Sequence, residues 1–233
     1  MKIVMDKKPK NPIVIEGFPG FGLVGTIAVE FLIKHLNAKP IGMIRSSLMV
    51  PMAAIHESKV VEPIGIFHDP KNNIILIHAL SGVRGLEWRL AEIISKLCKE
   101  MKAKQIISIE GVGSTQGTLN AYYFTRDQNN KKNFEKIGLE QLKEGIVVGV
   151  TGALLLKDKN VNGVFIESTV GLADSKAAAK AIEVLDKYLG LKVDYKPLLE
   201  AAEKFEKTLN VIMEKSKEVG ESKKDDKELS YLG

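Results

Sequence analysis

The sequence predicts an α/β protein, a three-layer sandwich with a central mixed, largely parallel sheet, followed by a C-terminal helix and a tail. Three observations carry this. Residues 13–25 read as a buried strand, a Gly-rich turn and the start of an apolar helix, the first half of a βαβ unit. Short β-branched runs then alternate with helical-period stretches as far as Leu189. Beyond residue 195 the pattern changes to a seven-residue repeat and then to a charged, polar stretch.

Ile13-Val14-Ile15 is the first buried strand, Glu16–Gly22 its turn, and Leu23–Leu36 the helix. Pro40–Ile44 is a short strand, and residues 46–60 form a loop holding the apolar run Met49–Ile55. This run either folds onto the core or faces a partner. Pro63–His68 and Asn73–Leu80 read as a hairpin around Asp69-Pro70-Lys71-Asn72, where Pro and Asn suit a turn. Leu86, Leu90, Ile93, Ile94, Leu97 and Cys98 recur at helical spacing, which predicts a helix over 86–101.

Gln105–Glu110 is a second buried strand ending in Gly111-Val112-Gly113-Ser114. Residues 121–126 have strand composition, Asp127–Lys132 reads as a polar turn, and Phe134–Leu142 as a short helix. Gly145–Gly149 reads as a third apolar strand, Val164–Ser168 as a fourth, and Ser175–Leu189 as an Ala-rich helix. Leu198, Ala202, Phe205, Leu209, Ile212, Ser216 and Val219 step 4-3-4-3-4-3, a heptad seam on one helix. Residues 214–228 hold five Lys and six Glu or Asp, and the apolar character returns at Leu229-Ser230-Tyr231-Leu232-Gly233. The expected division is an α/β domain over 1–195, a helix over 196–219 and a flexible tail over 220–233.

Composition bounds the function. With 45% hydrophobic residues in 233, the chain can bury a sizeable core, and no apolar run approaches about 18 residues, so no membrane span is expected. Met1–Asp6 is too short and too charged for a signal peptide, which points to the cytoplasm. The single cysteine, Cys98, excludes an internal disulfide and a multi-Cys metal site, and no cofactor is expected. A net charge of +5 with 6% aromatics gives no basic-aromatic stripe for nucleic acid.

Gly20-Phe21-Gly22-Leu23-Val24-Gly25 satisfies G-x-G-x-x-G, in which glycines admit a pyrophosphate to a helix N-terminus. Glu16–Pro19 separates it from the strand, however, and the next strand ends in Arg45-Ser46-Ser47 rather than an acidic ribose partner. Gly17, Pro19, Gly20, Gly22 and Gly25 therefore read as a structural loop. His35, His56, His68 and His78 show no metal-ligand spacing, and His78 is an acid–base candidate only where Glu16 or Glu110 meets it. Glu16, Glu110 and Glu167 each end a buried strand. They form either a ligand cluster at the carboxyl edge of the sheet or a set of acceptors that hold the Gly-rich turns; the second is the simpler account.

Glu16–Gly25 resembles the opening signature of the proteasome assembly chaperone family in its archaeal form, supported by Ser81–Arg84, Glu110–Gly113 and Gly149–Leu155. The resemblance spans about Pro12 to Leu189. It implies a nucleoside-phosphorylase-like α/β domain without enzymatic activity, self-association into oligomers, and binding to proteasome α-subunits or another assembly chaperone. Several archaeal members carry a C-terminal hydrophobic–Tyr–X tripeptide that docks on the proteasome α-ring. Here Tyr231 is third from the last residue and follows Ser230. A terminal carboxylate is thus displaced by about 3.5 Å relative to that pattern, and the tail is left to dock through Leu229, Tyr231, Leu232 and Gly233. Leu198, Phe205, Leu209 and Ile212 are the expected oligomer contacts. The alternative function, from the Gly-rich strand ends, is a nucleotide- or nucleoside-binding phosphorylase-like enzyme.

Overall fold

A computed structural model describes residues 1–49, 54–56, 58–80, 83–114, 118–168, 173–197 and 199–200. The strands are β1 (Lys2–Met5), β2 (Ile13–Gly17), β3 (Lys39–Arg45), β4 (Ala54–His56), β5 (Lys59–Val61), β6 (Ile64–Asp69), β7 (Ile74–Ala79), β8 (Gln105–Gly113), β9 (Ala121–Phe124), β10 (Glu140–Gln141) and β11 (Val161–Ser168). The helices are α1 (Val24–His35), α2 (Glu87–Glu100), α3 (Gln128–Lys136), α4 (Gly149–Lys157) and α5 (Ser175–Leu189). A nine-stranded sheet runs β1-β3-β6-β7-β2-β8-β11-β9-β10. Its centre, β7-β2-β8-β11, is parallel. β1, β3 and β6 add antiparallel strands on one side, and β9 pairs antiparallel with β11 on the other.

Strand alternation sorts side chains to two faces. Ile15, Leu76, Ile107, Ile109, Val164 and Ile166 meet α1 and α5 on one face. Val14, Ile75, Ile77, Ile106 and Val161 meet α2 and α4 on the other. These are the three layers the sequence predicts. The helices start where the chain offers acceptors to orphan N–H groups: Asp127 caps α3 by accepting from Asn130 N (2.8 Å), and Asp174 caps α5 by accepting from Ala177 N (2.9 Å). Gly190, at φ +67, ends α5 in the left-handed region.

Two predicted elements are corrected. Residues 145–148 form no strand; Ile146 and Val148 are exposed at 93% and 72%, and the helix α4 begins at Gly149, whose φ of +75 turns the chain into it. An apolar run of five residues does not itself distinguish a strand from the lead-in to a helix. Asp127–Lys132 is no turn but a cap followed by the first half of α3, and the helix stops at Lys136 before Gly138. Its stability comes from Phe134, which stacks between Tyr123 (4.9 Å) and Tyr188 (4.1 Å), a tertiary contact invisible in the local sequence. β1 and the small β4–β5 ribbon are additional. In the ribbon Ile55 lies opposite Val60, and both are largely exposed.

The chain is helical at 196–197 and 199–200. The oligomer contacts Leu198, Phe205, Leu209 and Ile212, and the tail residues Leu229, Tyr231, Leu232 and Gly233, lie outside the described residues. No helix among the described residues is long and apolar enough to cross a membrane.

Candidate functional site at the carboxyl edge of the sheet

The Gly-rich turn runs from the end of β2 through a short 3-10 turn, Phe21–Leu23, into α1. A Cβ on Gly17 would lie 2.1 Å from Gly25 O, and one on Gly25 would lie 2.4 Å from Ile109 O. These glycines let α1 cross β2 and β8 at backbone contact. Gly22 holds φ +65 beside Ser168 and Asp174, and Asp174 N donates to Gly22 O (2.8 Å).

Gly20 makes room for something else. A Cβ there would fall 1.7 Å from Glu110 Oε1. The Glu110 carboxyl is held by the backbone at Phe21 and Gly111, so the chain's own acid packs on the first glycine of the fingerprint, while Ser168 and Asp174 crowd Gly22, the glycine that would face a pyrophosphate.

Alternation places Glu16 on β2 and Ser108 and Glu110 on β8 on the α4 face, with Glu16 level with Ser108 in the register. Thr151, in the first turn of α4, reaches both acids: its Oγ1 lies 3.1 Å from Glu110 Oε2 and 3.4 Å from Glu16 Oε1. Glu16 is fully buried, and that burial is the main reason its pKa rises from 4.5 to about 8, with the neighbouring Glu110 charge adding to it. Burial likewise raises Glu110 to about 7, against hydrogen bonds from Thr151 and the backbone. Among the described residues no cation pairs with either acid.

Glu110 forms part of the wall of a groove of about 690 Å³ whose other walls are Phe18–Phe21, Val83, Arg84, Glu87 and Ile146–Val150. The groove is more apolar than polar, with Arg84, Glu87 and Glu110 as its charged groups.

The third strand-end acid stays apart. Glu167 accepts from Thr118 Oγ1 (2.5 Å), Asn120 N (3.1 Å) and Tyr122 OH (3.2 Å), and these bonds hold its pKa below the usual carboxylate range. His78 projects to the α1 face, where Glu30 and Lys34 are the nearest charges, so neither Glu16 nor Glu110 meets it; burial lowers its pKa. His68 Nε2 contacts Asn73 Oδ1 at 3.3 Å, and His35 stacks on Phe31. Cys98 is buried in the α2 face, its thiol pushed up to about 12. No group of three or more metal-ligating side chains occurs among the described residues.

Thr151 and Ser108 join the acids without a motif of their own in the sequence. The alternation Ile106-Ser108-Glu110 signals one of them; Thr151 is legible only once 149–157 is a helix rather than the continuation of a strand.

The glycine turn, the acid that fills it and the nine-stranded topology can be compared with known proteins. The model of the PAC2 family matches residues 14–213 of this chain. The chain belongs to the PAC2 family. PbaA of Pyrococcus furiosus, described as an archaeal homolog of proteasome-assembly chaperone, superposes with a TM-score of 0.83 at 33% identity, over 91% of this chain and 96% of PbaA. A curated relative, an uncharacterized protein of Methanocaldococcus jannaschii, is 31% identical over 211 residues, covering 88% of this chain and 87% of the relative. Pyrococcus furiosus PbaB, described as an archaeal proteasome activator, shares the fold at a TM-score of 0.75 and 24% identity, over 91% of this chain and 98% of PbaB. The PAC2 assignment covers both sandwich faces and the groove between Phe18 and Val150.

Proposed function

We propose that this protein is a non-catalytic, homo-oligomeric chaperone or adaptor of proteasome assembly. It works in the cytoplasm without ATP and binds proteasome α-subunits or a second assembly chaperone. The observation that carries the reading is the similarity to PbaA, itself a homolog of proteasome-assembly chaperone, at 33% identity along 96% of that chain. The glycine turn supports it, because side chains of this chain crowd it, Glu110 at Gly20 and Ser168 and Asp174 at Gly22.

In this reading the charged stretch 220–228 tethers an apolar tip, Leu229, Tyr231, Leu232 and Gly233, that orders on docking into a partner pocket. Several tips on one oligomer add avidity through effective concentration. Leu198, Phe205, Leu209 and Ile212 form the seam that joins subunits.

Co-purification with proteasome α-subunits tests this directly. Capture of α-subunits by the full chain, weakened by deletion of residues 229–233 with folding and oligomer size unchanged, is the expected result. Full binding by the truncated chain would move the contact to the α/β domain, and no binding by either would remove the proteasome reading. Light scattering should give a particle several times the 25.6 kDa chain.

One observation favours the second reading, a nucleotide- or nucleoside-binding enzyme: the groove at the carboxyl ends of parallel strands contains a carboxyl group raised to about 7. A thermal-shift series with nucleosides, nucleotides and phosphate separates the two, and no stabilisation is expected.

A further inference from the structure

A buried acid, Glu16, and a half-buried one, Glu110, on neighbouring strands face one hydroxyl on the helix above them. A threonine hydroxyl carries a single hydrogen, so Thr151 can donate to only one carboxylate. Its Oγ1 is 3.1 Å from Glu110 Oε2 and 3.4 Å from Glu16 Oε1. Both contacts are hydrogen bonds only if the second acid is protonated and donates to Oγ1. Both acids have further donors beside them, Glu16 the Ser108 hydroxyl and the backbone at Phe18, Glu110 the backbone at Phe21 and Gly111, and the proton belongs on Glu16 because it is sealed from water whereas Glu110 borders the groove. The chain of bonds is then Glu16 O–H to Thr151 Oγ1, and Thr151 O–H to Glu110 Oε2.

Among the described residues no cation is paired with either acid. From β7 the register neighbour of Glu16 is Ile77, from β8 it is Ser108, and from α4 it is Thr151. Around Glu110 the groove brings Arg84 and Glu87, one charge of each sign, and no ion pair joins either of them to it.

Val150, Ala153 and Leu154 anchor α4 in the core, but the strap that leads into it and its first backbone bond are loosely held. α4 starts at Gly149, which is in the left-handed region, and its N-cap residue, Val148, supplies no side-chain cap. Gly152 N donates to Val148 O at 3.3 Å, and Ile146 and Val148 are turned to solvent. Ile146–Val148 of the strap and Phe18–Phe21 of the Gly-rich turn bonded to Glu110 both line the groove.

We propose that Glu16, Thr151 and Glu110 form a one-proton latch that fastens the first turn of α4 and the 145–148 strap to the sheet, and that losing this proton to solvent frees the strap and opens the groove. With both acids ionised, one hydroxyl faces two anions, one bond is lost, and like charges repel in a poorly hydrated space. The raised pKa of both acids agrees with a shared proton held near neutrality. The latch goes beyond the partner reading and stands or falls separately from it.

Hydrogen exchange read by mass spectrometry on the full chain tests this, with rates corrected for intrinsic chemistry. Between about pH 6 and about pH 8, opening of the first bonded turn of α4, read at the amides of residues 152–155, should increase up to about tenfold per pH unit in the native chain, while the α1 interior changes far less. In Glu16→Gln the amide donates to Thr151 at every pH, so the protection of 152–155 should be flat. Thr151→Ser keeps the hydroxyl and should keep the native pH response; Thr151→Val should leave the strap open throughout. Circular dichroism establishes that each variant is folded, and if Glu16→Gln is not, the Ser and Val pair decides. Flat exchange in the native chain, or Thr151→Val following the native response, would overturn the latch.

Discussion

Gly20 and Glu110 compete for one volume: a Cβ at position 20 would stand 1.7 Å from Glu110 Oε1. The turn that resembles a dinucleotide fingerprint is packed on an acid from the next strand, and this contact governs how its glycines respond to substitution.

Gly20→Ala should destabilise the fold by about 1–3 kcal/mol, because the carboxyl must leave its backbone and Thr151 partners. In a Glu110→Ala background the same change should cost much less, a coupling of roughly 0.5–3 kcal/mol in a double-mutant cycle. Gly17→Ala should cost more than Gly20→Ala in either background, since a Cβ there meets the Gly25 carbonyl at 2.1 Å and backbone cannot swing aside. Urea unfolding measures all of these.

Calorimetry with NAD(H) or NADP(H) should give no saturable binding at micromolar concentration. Glu110 crowds Gly20 and Ser168 and Asp174 crowd Gly22, and saturable heat would show that these side chains yield their places.

Stability should fall as pH rises through neutrality. Glu16 and Glu110 are raised from 4.5 to about 8 and about 7, so the folded chain keeps protons that the unfolded chain has released. The folded state therefore binds more protons between 4.5 and these values, and its stability declines across that window as pH increases. Glu16→Gln should remove most of this slope in scanning calorimetry. His78 acts in the opposite sense: burial lowers its pKa from 6.5, so its contribution is lost as pH falls below that value.

Asn162→Ala should cost about 1–3 kcal/mol. Asn162 donates to Gln105 Oε1 (2.7 Å) and accepts from Thr125 Oγ1 (2.5 Å) in a buried site, and alanine leaves the threonine hydroxyl without its acceptor. Tyr188→Phe should cost less, about 1 kcal/mol, because the ring keeps its 4.1 Å stack on Phe134 and loses only the bonds to Gln105 and Asn130. Thermal unfolding at fixed pH ranks the two.

The sequence by itself determined the layered α/β architecture. Runs such as Ile13-Val14-Ile15 and Ile74–Ile77 bury on both faces only in a covered sheet, and the period of 175–189 matches α5 to the residue. It also marked Glu16 and Glu110 as strand-end acids beside glycine turns. Only the tertiary structure decided that 145–148 is an exposed strap and that 128–136 is a helix. A short apolar run looks alike in a strand and before a helix, and a polar segment becomes helical once one aromatic, Phe134, finds its stack. Only the tertiary structure, too, brought Thr151 over acids 135 and 41 residues away, left Glu167 with Tyr122, and turned His78 to the opposite face. Strand order and helix placement set those meetings, and local propensity carries no record of either, because each depends on which distant segment supplies the neighbouring surface.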